Sequence, residues 1–339
     1  MLKDITVSHA PHISKPLSTR TVMIDVVIGL VPAMVAAGYY FRVYALTLIP
    51  TCVISAVATE WLCNLIRKKP NPAESLGDFS AVVTGIILAL SVPPSLPIWA
   101  AVIGSVFSIA IGKMVFGGLG ANIFNPAMAG RAFLTASFGM MMTTWTVPNT
   151  IDTTMPKISA DNAIDARTQA TPLALSKQAI KDKTGAGLVS DQLKPAFIGE
   201  IGGCLGETSA LALLLGGIYL LIRRTINFHI PLAVLLSAFL FATIAYLVDS
   251  NAYISPLCHL CSGGLLIGAF FIATDPVTAP LSTKGMWIFG IGVGTITMLI
   301  RIVGEYPEGV MYAVLLMNAV TPLIDRLCKL VPAGGKPNV

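Results

Sequence analysis

GIILALSVP at residues 85–93 and GAFFIATDP at residues 268–276 are two short apolar runs, one in each half of a 339-residue chain. Each run begins with glycine and ends at proline. The apolar segment around the first run, 81–92, would rise only about 18 Å as a helix, whereas the hydrocarbon core of a bilayer is about 30 Å thick. Helices this short leave backbone groups that must line a cavity or a ligand. The pair therefore predicts discontinuous helices around a cavity near the membrane midplane.

The composition predicts a polytopic membrane protein. The chain is 55% hydrophobic and 12% charged, with a mean hydropathy of +0.78, whereas about 25% of the residues of soluble domains are charged. Lys3, Lys15 and Arg20 stand in an N-terminal stretch without an apolar core, so we expect a hydrophilic tail and no cleaved signal peptide. Membrane lipid is the expected surrounding, and no nucleic-acid partner is expected.

Ten apolar segments follow one another along the chain, five in each half. They cover residues 22–40, 43–66, 81–92, 98–116, 123–142, 205–222, 230–248, 263–273, 287–302 and 310–323. The sequence therefore predicts an all-α fold of about ten transmembrane helices.

The positive charges predict the orientation of these helices. Lysine and arginine in short loops stay cytoplasmic, and they precede the first segment, follow the second at 67–69 and follow the sixth at 223–224. Lys284, Arg326 and Lys329 agree with this pattern. Both termini are then expected in the cytoplasm, and the polar loop 143–199 is expected outside.

Two similar halves are predicted by the matching runs. Because five spans is an odd number, the second half would insert upside down relative to the first, which is an inverted-topology repeat. The expected divisions are a first membrane repeat at 1–142, an extracytoplasmic loop at 143–199 and a second membrane repeat at 200–339. Close helix packing is the alternative use for the glycines, which are frequent in membrane helices.

The polar loop contains DARTQAT at residues 165–171, which matches the acceptor pattern D-x-x-[ST]-x-A-T of covalently flavinylated proteins. In that pattern, FMN is esterified through its phosphate onto the hydroxyl of the final threonine, here Thr171. An Asx or Ser/Thr turn leading into Pro172 is the alternative, since such residues are common in loops.

Four longer motifs then carry a resemblance to a known family. They are GGLGANIFNPAMAGR at 117–131, GCLGETS at 203–209, SGGLLIGAFFIATDPVT at 262–278 and GEYPEG at 304–309. Together they resemble the family that contains the D subunit of the Rnf electron-transport complex and the B subunit of the Na+-translocating NADH:quinone oxidoreductase.

The resemblance implies ten helices in two inverted repeats of the urea-transporter type, in a bacterial cell inner membrane with the flavin loop on the periplasmic side. It implies covalent FMN on Thr171, with Asp165 and Thr168 recognised by a periplasmic flavin transferase, and riboflavin held noncovalently. It also implies partner subunits of the Rnf complex, through which electrons pass between ferredoxin and NAD+ while Na+ or H+ is exported. A quinone-reductase subunit and a redox-inactive channel or transporter are the alternatives.

Four acidic residues lie in or beside apolar segments and are candidates for an ion path, namely Asp25, Glu60, Glu207 and Asp275. A carboxylate deep in a bilayer costs about 2.5 to 3.5 kcal/mol and is usually functional there. For Asp25 and Glu207 the alternative is an interfacial position in the first turn of a helix, where the macrodipole favours negative charge.

Two cysteines and an arginine are further candidates. Cys258 and Cys261 have CxxC spacing, but two thiols fall short of the four ligands of a structural metal site, so we expect small core residues, with a disulfide as the alternative. No metal is expected. Arg131 would contact flavin phosphate or a helix end, or extend its guanidinium to the membrane interface.

Overall fold

The computed structural model describes residues 18–145, 173–174, 176–177, 193–199, 201–250, 253–304 and 306–329. Within these ranges the regular structure is helical and contains no strand. The predicted all-α class is therefore confirmed. The acceptor run 165–171 lies outside the described residues.

The first half contains two long helices, three of medium length and shorter pieces. They are α1 (Thr19–Phe41), α2 (Val43–Ile66), a 3-10 turn (Glu74–Asp78), α3 (Ser80–Leu90), α4 (Ile98–Ile109) with a π-helical turn (Ala110–Met114), α5 (Pro126–Ser137) and α6 (Gly139–Met142).

Helix α7 (Leu193–Ile198) lies in the last part of the polar loop. The second half then contains α8 (Ala210–Ile222), α9 (His229–Val248), α10 (Pro256–Cys261), α11 (Leu265–Ile267) with a π-helical turn (Gly268–Ile272), α12 (Thr283–Ile302) and α13 (Val310–Leu327).

Among the residues that the structure describes, five helices are long and apolar enough to cross a membrane by length and composition, namely α1, α2, α9, α12 and α13. Shorter apolar helices at Ser80–Leu90, Ile98–Met114 and Ala210–Ile222 accompany them. The chain is a multi-pass membrane protein, as its composition predicts.

Side chains that cap helix N-termini fix where several helices start. Ser18, Ser209 and Ser282 each accept a hydrogen bond from the backbone N–H three residues later, at the starts of α1, α8 and α12. Asn125 does the same for α5 and is followed by proline at the first helical position. These caps satisfy backbone donors of the first turn that have no partner within the helix.

The helices run between two ends of one bundle. We call the end at which α1 begins the proximal end, and the opposite end the distal end. Near the proximal end, Val22 lines the same cavity as Ser80 and Pro126, the first residues of α3 and α5. At the distal end, the Tyr40 hydroxyl donates to the Ile198 carbonyl at 3.1 Å. When the short α6 and α7 are left out and the α10–α11 segment counts once, the described residues contain ten helical segments.

The two halves pack in the same order. In the first half α2 contacts α3 and α4, and α4 contacts α5; in the second half α9 contacts α10, the Gly268–Ile272 turn and α12, and α12 contacts α13. An inverted repeat requires such an order. The predicted divisions 1–142, 143–199 and 200–339 stay a prediction.

The discontinuous helices end where other segments satisfy their backbone. At the distal end of α3, the Gly206 N–H donates to the Leu90 carbonyl at 2.7 Å and the Leu205 N–H donates to the Val92 carbonyl at 3.1 Å. The apolar pattern predicts that residues 205–209 begin α8. They instead form a loop that caps the end of α3. The predicted span 123–142 is also interrupted, because Phe138 separates α5 from α6.

A close backbone contact joins the halves where α1 packs against α8. A Cβ atom on Gly216 would overlap the backbone carbonyl oxygen of Gly29. Only glycine at position 216 permits this approach, in the way that small residues allow membrane helices to meet. We call this contact the α1–α8 seam.

Candidate functional site

A cavity of about 690 Å³ opens at the proximal end, between the two discontinuous helices. Apolar side chains from α1, α3 and the second π-helical turn form most of its wall, and polar side chains reach it from both halves. The polar ones used below are Ser80, Lys113, Asn122, Asn125, Thr225 and Asp275.

Lys113 brings a buried positive charge to this cavity. Its Nζ lies 2.7 Å from Glu60 Oε2 and donates to Ser80 Oγ at 2.6 Å. The side chains of Lys113 and Glu60 are only 2% and 1% exposed. Burial of two charges costs several kcal/mol per ion unless they pair, so this ion pair holds α2, α3 and the end of α4 together.

Asp25 is connected to the cavity through Thr225. Thr225 Oγ1 donates to Asp25 Oδ2 at 3.0 Å, Tyr219 donates to Oδ1 at 3.3 Å, and Arg223 forms an ion pair with Oδ1 at 3.3 Å. Asp25 is buried. Asp25 is the seventh residue of α1 and does not lie in its first turn, where the alternative placed it, and its ion pair joins α1 to the end of α8.

Asp275 lines the cavity directly. Its Oδ1 accepts from the Val277 N–H at 3.3 Å and its Oδ2 accepts from Thr278 Oγ1 at 3.1 Å. In the described part of the chain, no lysine or arginine lies within ion-pair distance of it. Of the four candidate acids, Asp275 is the one whose charge lacks such a counter-charge there.

Asparagines complete the polar lining. Asn125 caps α5, and its backbone N–H donates at 3.0 Å to the Asn318 side chain once that amide is turned to satisfy both neighbours. Asn122 Oδ1 is buried and has no hydrogen-bond partner among the described residues. Because buried polar atoms are normally satisfied, an orphaned acceptor beside a cavity indicates a ligand or water there.

At the distal end, Arg131 and Glu207 form a second buried pair, with Arg131 Nη2 at 3.4 Å from Glu207 Oε1. The same Nη2 lies 3.5 Å from Cys204 Sγ. Both charged side chains are less than a tenth exposed. Glu207 therefore lies before α8 and not in its first turn, where the alternative placed it, and the Arg131 guanidinium contacts its carboxylate.

Arg301 and Glu308 form a third buried pair nearby. Arg301 Nη2 lies 3.1 Å from Glu308 Oε1, and its guanidinium donates to the carbonyls of His259 at 2.6 Å and Ser262 at 3.0 Å. Glu308 Oε2 accepts from the Gly264 N–H at 2.8 Å. Arg301 therefore holds the start of the second discontinuous segment, as Lys113 holds the start of the first.

Glu308 lies between α12 and α13, outside the membrane-spanning helices. Burial raises the pKa of its carboxyl, but the guanidinium groups of Arg301 and Arg131 outweigh that effect and hold the pKa below its usual range. Glu308 is therefore ionised at neutral pH, and the distal end carries two paired carboxylates. We call Arg131, Glu207, Arg301 and Glu308 the distal network.

Two small pockets of about 350 and 410 Å³ flank this network and share Trp145, Pro307 and Glu308. Leu173 lines the first of them. It comes two residues after Thr171 in the sequence. The chain that follows the acceptor run thus reaches the distal network.

The predicted site residues separate into three groups. Asp275 lines the proximal cavity, and Glu60 and Asp25 each contact a side chain that lines it. Glu207 lies at the distal end. Asp165, Thr168 and Thr171 fall outside the described residues. Cys258 and Cys261 lie on α10 as free thiols, so the alternative of a disulfide between them is wrong.

Lys113, Arg301 and Glu308 were not predicted as site residues. Lys113 and Arg301 stand within predicted apolar segments, and a cation there needs a counter-charge. That rule would have predicted a partner for each.

Comparison with known proteins gives full-length similarity. Residues 6–334 match the NQR2, RnfD, RnfE family. The D subunit of the Na(+)-translocating ferredoxin:NAD(+) oxidoreductase complex of Acetobacterium woodii is 46% identical, over 96% of this chain and 94% of that one. The D subunit of the proton-translocating ferredoxin:NAD(+) oxidoreductase complex of Clostridium ljungdahlii is 42% identical, over 97% and 96%. The D subunit of the ion-translocating oxidoreductase complex of Stutzerimonas stutzeri is also 42% identical, over 95% of each chain.

Proposed function

The chain belongs to the NQR2, RnfD, RnfE family, and we propose from this that it is a membrane subunit of an ion-translocating ferredoxin:NAD+ oxidoreductase complex. In this proposal it passes electrons between partner subunits in a bacterial inner membrane and couples their transfer to export of Na+ or H+. The similarity over nearly the whole chain to subunits named for this activity is the observation that carries the proposal.

We propose that FMN is attached to Thr171. The acceptor run at 165–171 supports the attachment, and Asp165 and Thr168 would be read by a periplasmic flavin transferase. The Thr171 hydroxyl would lose its proton and attack the FMN phosphorus of a flavin dinucleotide held by the transferase, with a nucleoside monophosphate as the leaving group. Serine at position 171 retains this chemistry, and valine removes it. When bound, FMN supplies one- and two-electron redox chemistry that no amino-acid side chain of the chain offers.

We also propose that the proximal cavity holds riboflavin noncovalently. Its apolar walls suit a planar ring, and Asn122, Asn125 and Lys113 supply polar groups around it. The unsatisfied Asn122 Oδ1 fits an N–H donor of such a ring. Lys113 and Ser80 would orient the ligand, and the apolar walls would exclude water.

Asp275 is the residue that we propose for the ion path. It lines the same cavity and has no cationic partner in the described residues, so its carboxylate is available to Na+ or to a proton. Glu60, Asp25 and Glu207 are proposed to support the path through their ion pairs and not to bind the ion alone. Export of one charge against 100 mV costs about 2.3 kcal/mol, which the electron transfer must supply.

Mass spectrometry of the peptide that covers residues 161–177 tests the attachment. The complex is purified from cells that express the flavin transferase. We expect the peptide to carry FMN on Thr171, Thr171→Ser to retain part of it and Thr171→Val to lose it. Thr154→Val, in the same polar loop, is the control and keeps the modification. An unmodified peptide in the unsubstituted complex would contradict the proposal.

The electron-transfer role has its own test. The purified complex is expected to exchange electrons between ferredoxin and NAD+. Reduction of quinone by NADH without any ferredoxin activity would instead favour the quinone-reductase alternative.

A further inference from the structure

Lys177 fastens the chain that follows the acceptor run to the distal end of α12. Its Nζ donates to the Tyr306 carbonyl at 2.7 Å and to the Ile300 carbonyl at 3.4 Å. Ile300 lies in the last turn of α12, where carbonyl groups lack intrahelical partners. A cation there also interacts favourably with the helix dipole. The contact therefore satisfies two backbone acceptors with one ammonium group.

Leu173, four residues before Lys177, makes a second contact with the bundle, which is apolar. It is 5% exposed and packs in a cluster with Ile254, Cys258 and Leu193. It also lines the pocket that contains Glu207 and Glu308. The segment is thus fixed by an apolar contact at one residue and by hydrogen bonds at another.

We infer that Lys177 is a positioning residue for the group attached to Thr171, with Leu173 as its apolar counterpart. This inference rests on the proposed attachment of FMN. Leu173 follows Thr171 by two residues, which span at most about 7 Å of extended chain, so an anchored Leu173 limits how far the point of attachment can lie from the distal network and its flanking pockets. Neither residue takes part in the attachment itself.

The charged side chains at the distal end would influence the midpoint potential of a flavin attached to Thr171. Two carboxylates and two guanidinium groups are fixed there in a poorly solvated environment, where charge interactions are stronger than in water. These charges change the midpoint potential of a flavin ring held close to them. They have little effect on a flavin ring that moves freely in water. Release of the segment therefore shifts the flavin midpoint potential and increases access to solutes.

The test uses the intact complex with Lys177→Met and Lys177→Arg. Intact mass of the chain measures flavin loading. Fluorescence anisotropy, iodide quenching and redox titration of the covalent flavin measure its position, with the Thr171→Val complex subtracted as the blank for noncovalent flavin. Lys183→Met removes a similar charge from the same polar loop and is the matched control.

We expect Lys177→Met to keep full loading but to show lower anisotropy, stronger quenching and a shifted potential. Lys177→Arg and Lys183→Met are expected to match the unsubstituted complex. Leu173→Ala, which leaves Lys177 in place, is expected to shift the same readouts in the same direction.

Two results overturn the inference while leaving the proposed function standing. They are loss of FMN in Lys177→Met, which would give Lys177 a role in attachment, and unchanged anisotropy, quenching and potential in a fully loaded Lys177→Met complex. Absence of FMN from the unsubstituted complex would instead refute the attachment itself.

Discussion

The ion pair of Lys113 and Glu60 connects three helical elements at the proximal end. Their ion pair is almost fully buried at 2.7 Å, and Ser80 completes it. Such a pair contributes little net stability when intact, but loss of one partner leaves an uncompensated buried charge.

Lys113→Met is therefore expected to destabilise the protein by about 3–5 kcal/mol. Glu60→Gln combined with Lys113→Met is expected to recover part of that loss, because both charges are then gone. Thermal unfolding in detergent, followed by far-UV circular dichroism, measures the difference. Lys69→Met removes an exposed cation near the same end and serves as the control; an equal loss in that variant would contradict the explanation.

Asp275 gives the opposite expectation. Its carboxylate has hydrogen bonds but no cationic partner in the described residues, so Asp275→Asn is expected to change stability by less than about 1 kcal/mol. Ion transport by the reconstituted complex is expected to fall strongly. Asp325→Asn, at the end of α13, is the comparison and should transport normally. Full transport by Asp275→Asn would remove this residue from the ion path.

The sequence predicted the buried acids but not their partners. Glu60 and Glu207 stood out because carboxylates in apolar segments are rare. Lys113 lies 53 positions from Glu60, and Arg131 lies 76 positions before Glu207. Pairings over such separations depend on how helices pack, which periodicity along one segment does not reveal.

At the scale of elements, the bounds of two long helices were easier to predict than the interruptions in the shorter ones. The predicted boundaries 43–66 and 230–248 agree with α2 and α9 to within one residue. The π-helical turns at Ala110–Met114 and Gly268–Ile272 have no pattern in the sequence that distinguishes them from α-helix. Both adjoin the proximal cavity, in keeping with the frequent place of such turns at functional sites.

The α1–α8 seam allows a prediction at this scale. In Gly216→Ala the new methyl group would overlap a backbone carbonyl, which cannot move aside as a flexible side chain can. We expect a loss of several kcal/mol in unfolding free energy, toward the upper range for single substitutions. Gly38→Ala is the matched control, since a Cβ there meets no atom within 4 Å.

Unfolding midpoints of the two glycine variants, compared under one detergent condition, decide the matter. Gly38→Ala is expected to be neutral or to gain about 0.5–1 kcal/mol, because alanine is the better helix former. Equal midpoints for both variants would show that the halves do not meet as closely as the structure indicates.

At the scale of the whole molecule, the described chain starts and ends at the same end of the bundle. α1 begins at the proximal cavity, and Asp325 near the end of α13 accepts from the Leu281 N–H at 3.3 Å, beside α12's start. Helix α7 lies at the distal end with Tyr40. The termini and the polar loop 143–199 are therefore expected on opposite sides of the membrane.

Cysteine labelling of whole cells tests this arrangement. In a background that lacks the six native cysteines, Thr153→Cys is expected to react with a membrane-impermeant maleimide in intact cells. Lys329→Cys is expected to react only after permeabilisation. Labelling of both positions from the same side would contradict the proposed topology.

The tight seam between α1 and α8 also limits how the halves of the protein move. Backbones that touch at Gly29 and Gly216 cannot slide along each other, because the larger side chains of the next turns would collide. Rotation about that line of contact is the motion left open. We therefore expect any alternating exposure of Asp275 to the two aqueous phases to come from tilting of one half about a fixed pivot, with the largest displacements farthest from it.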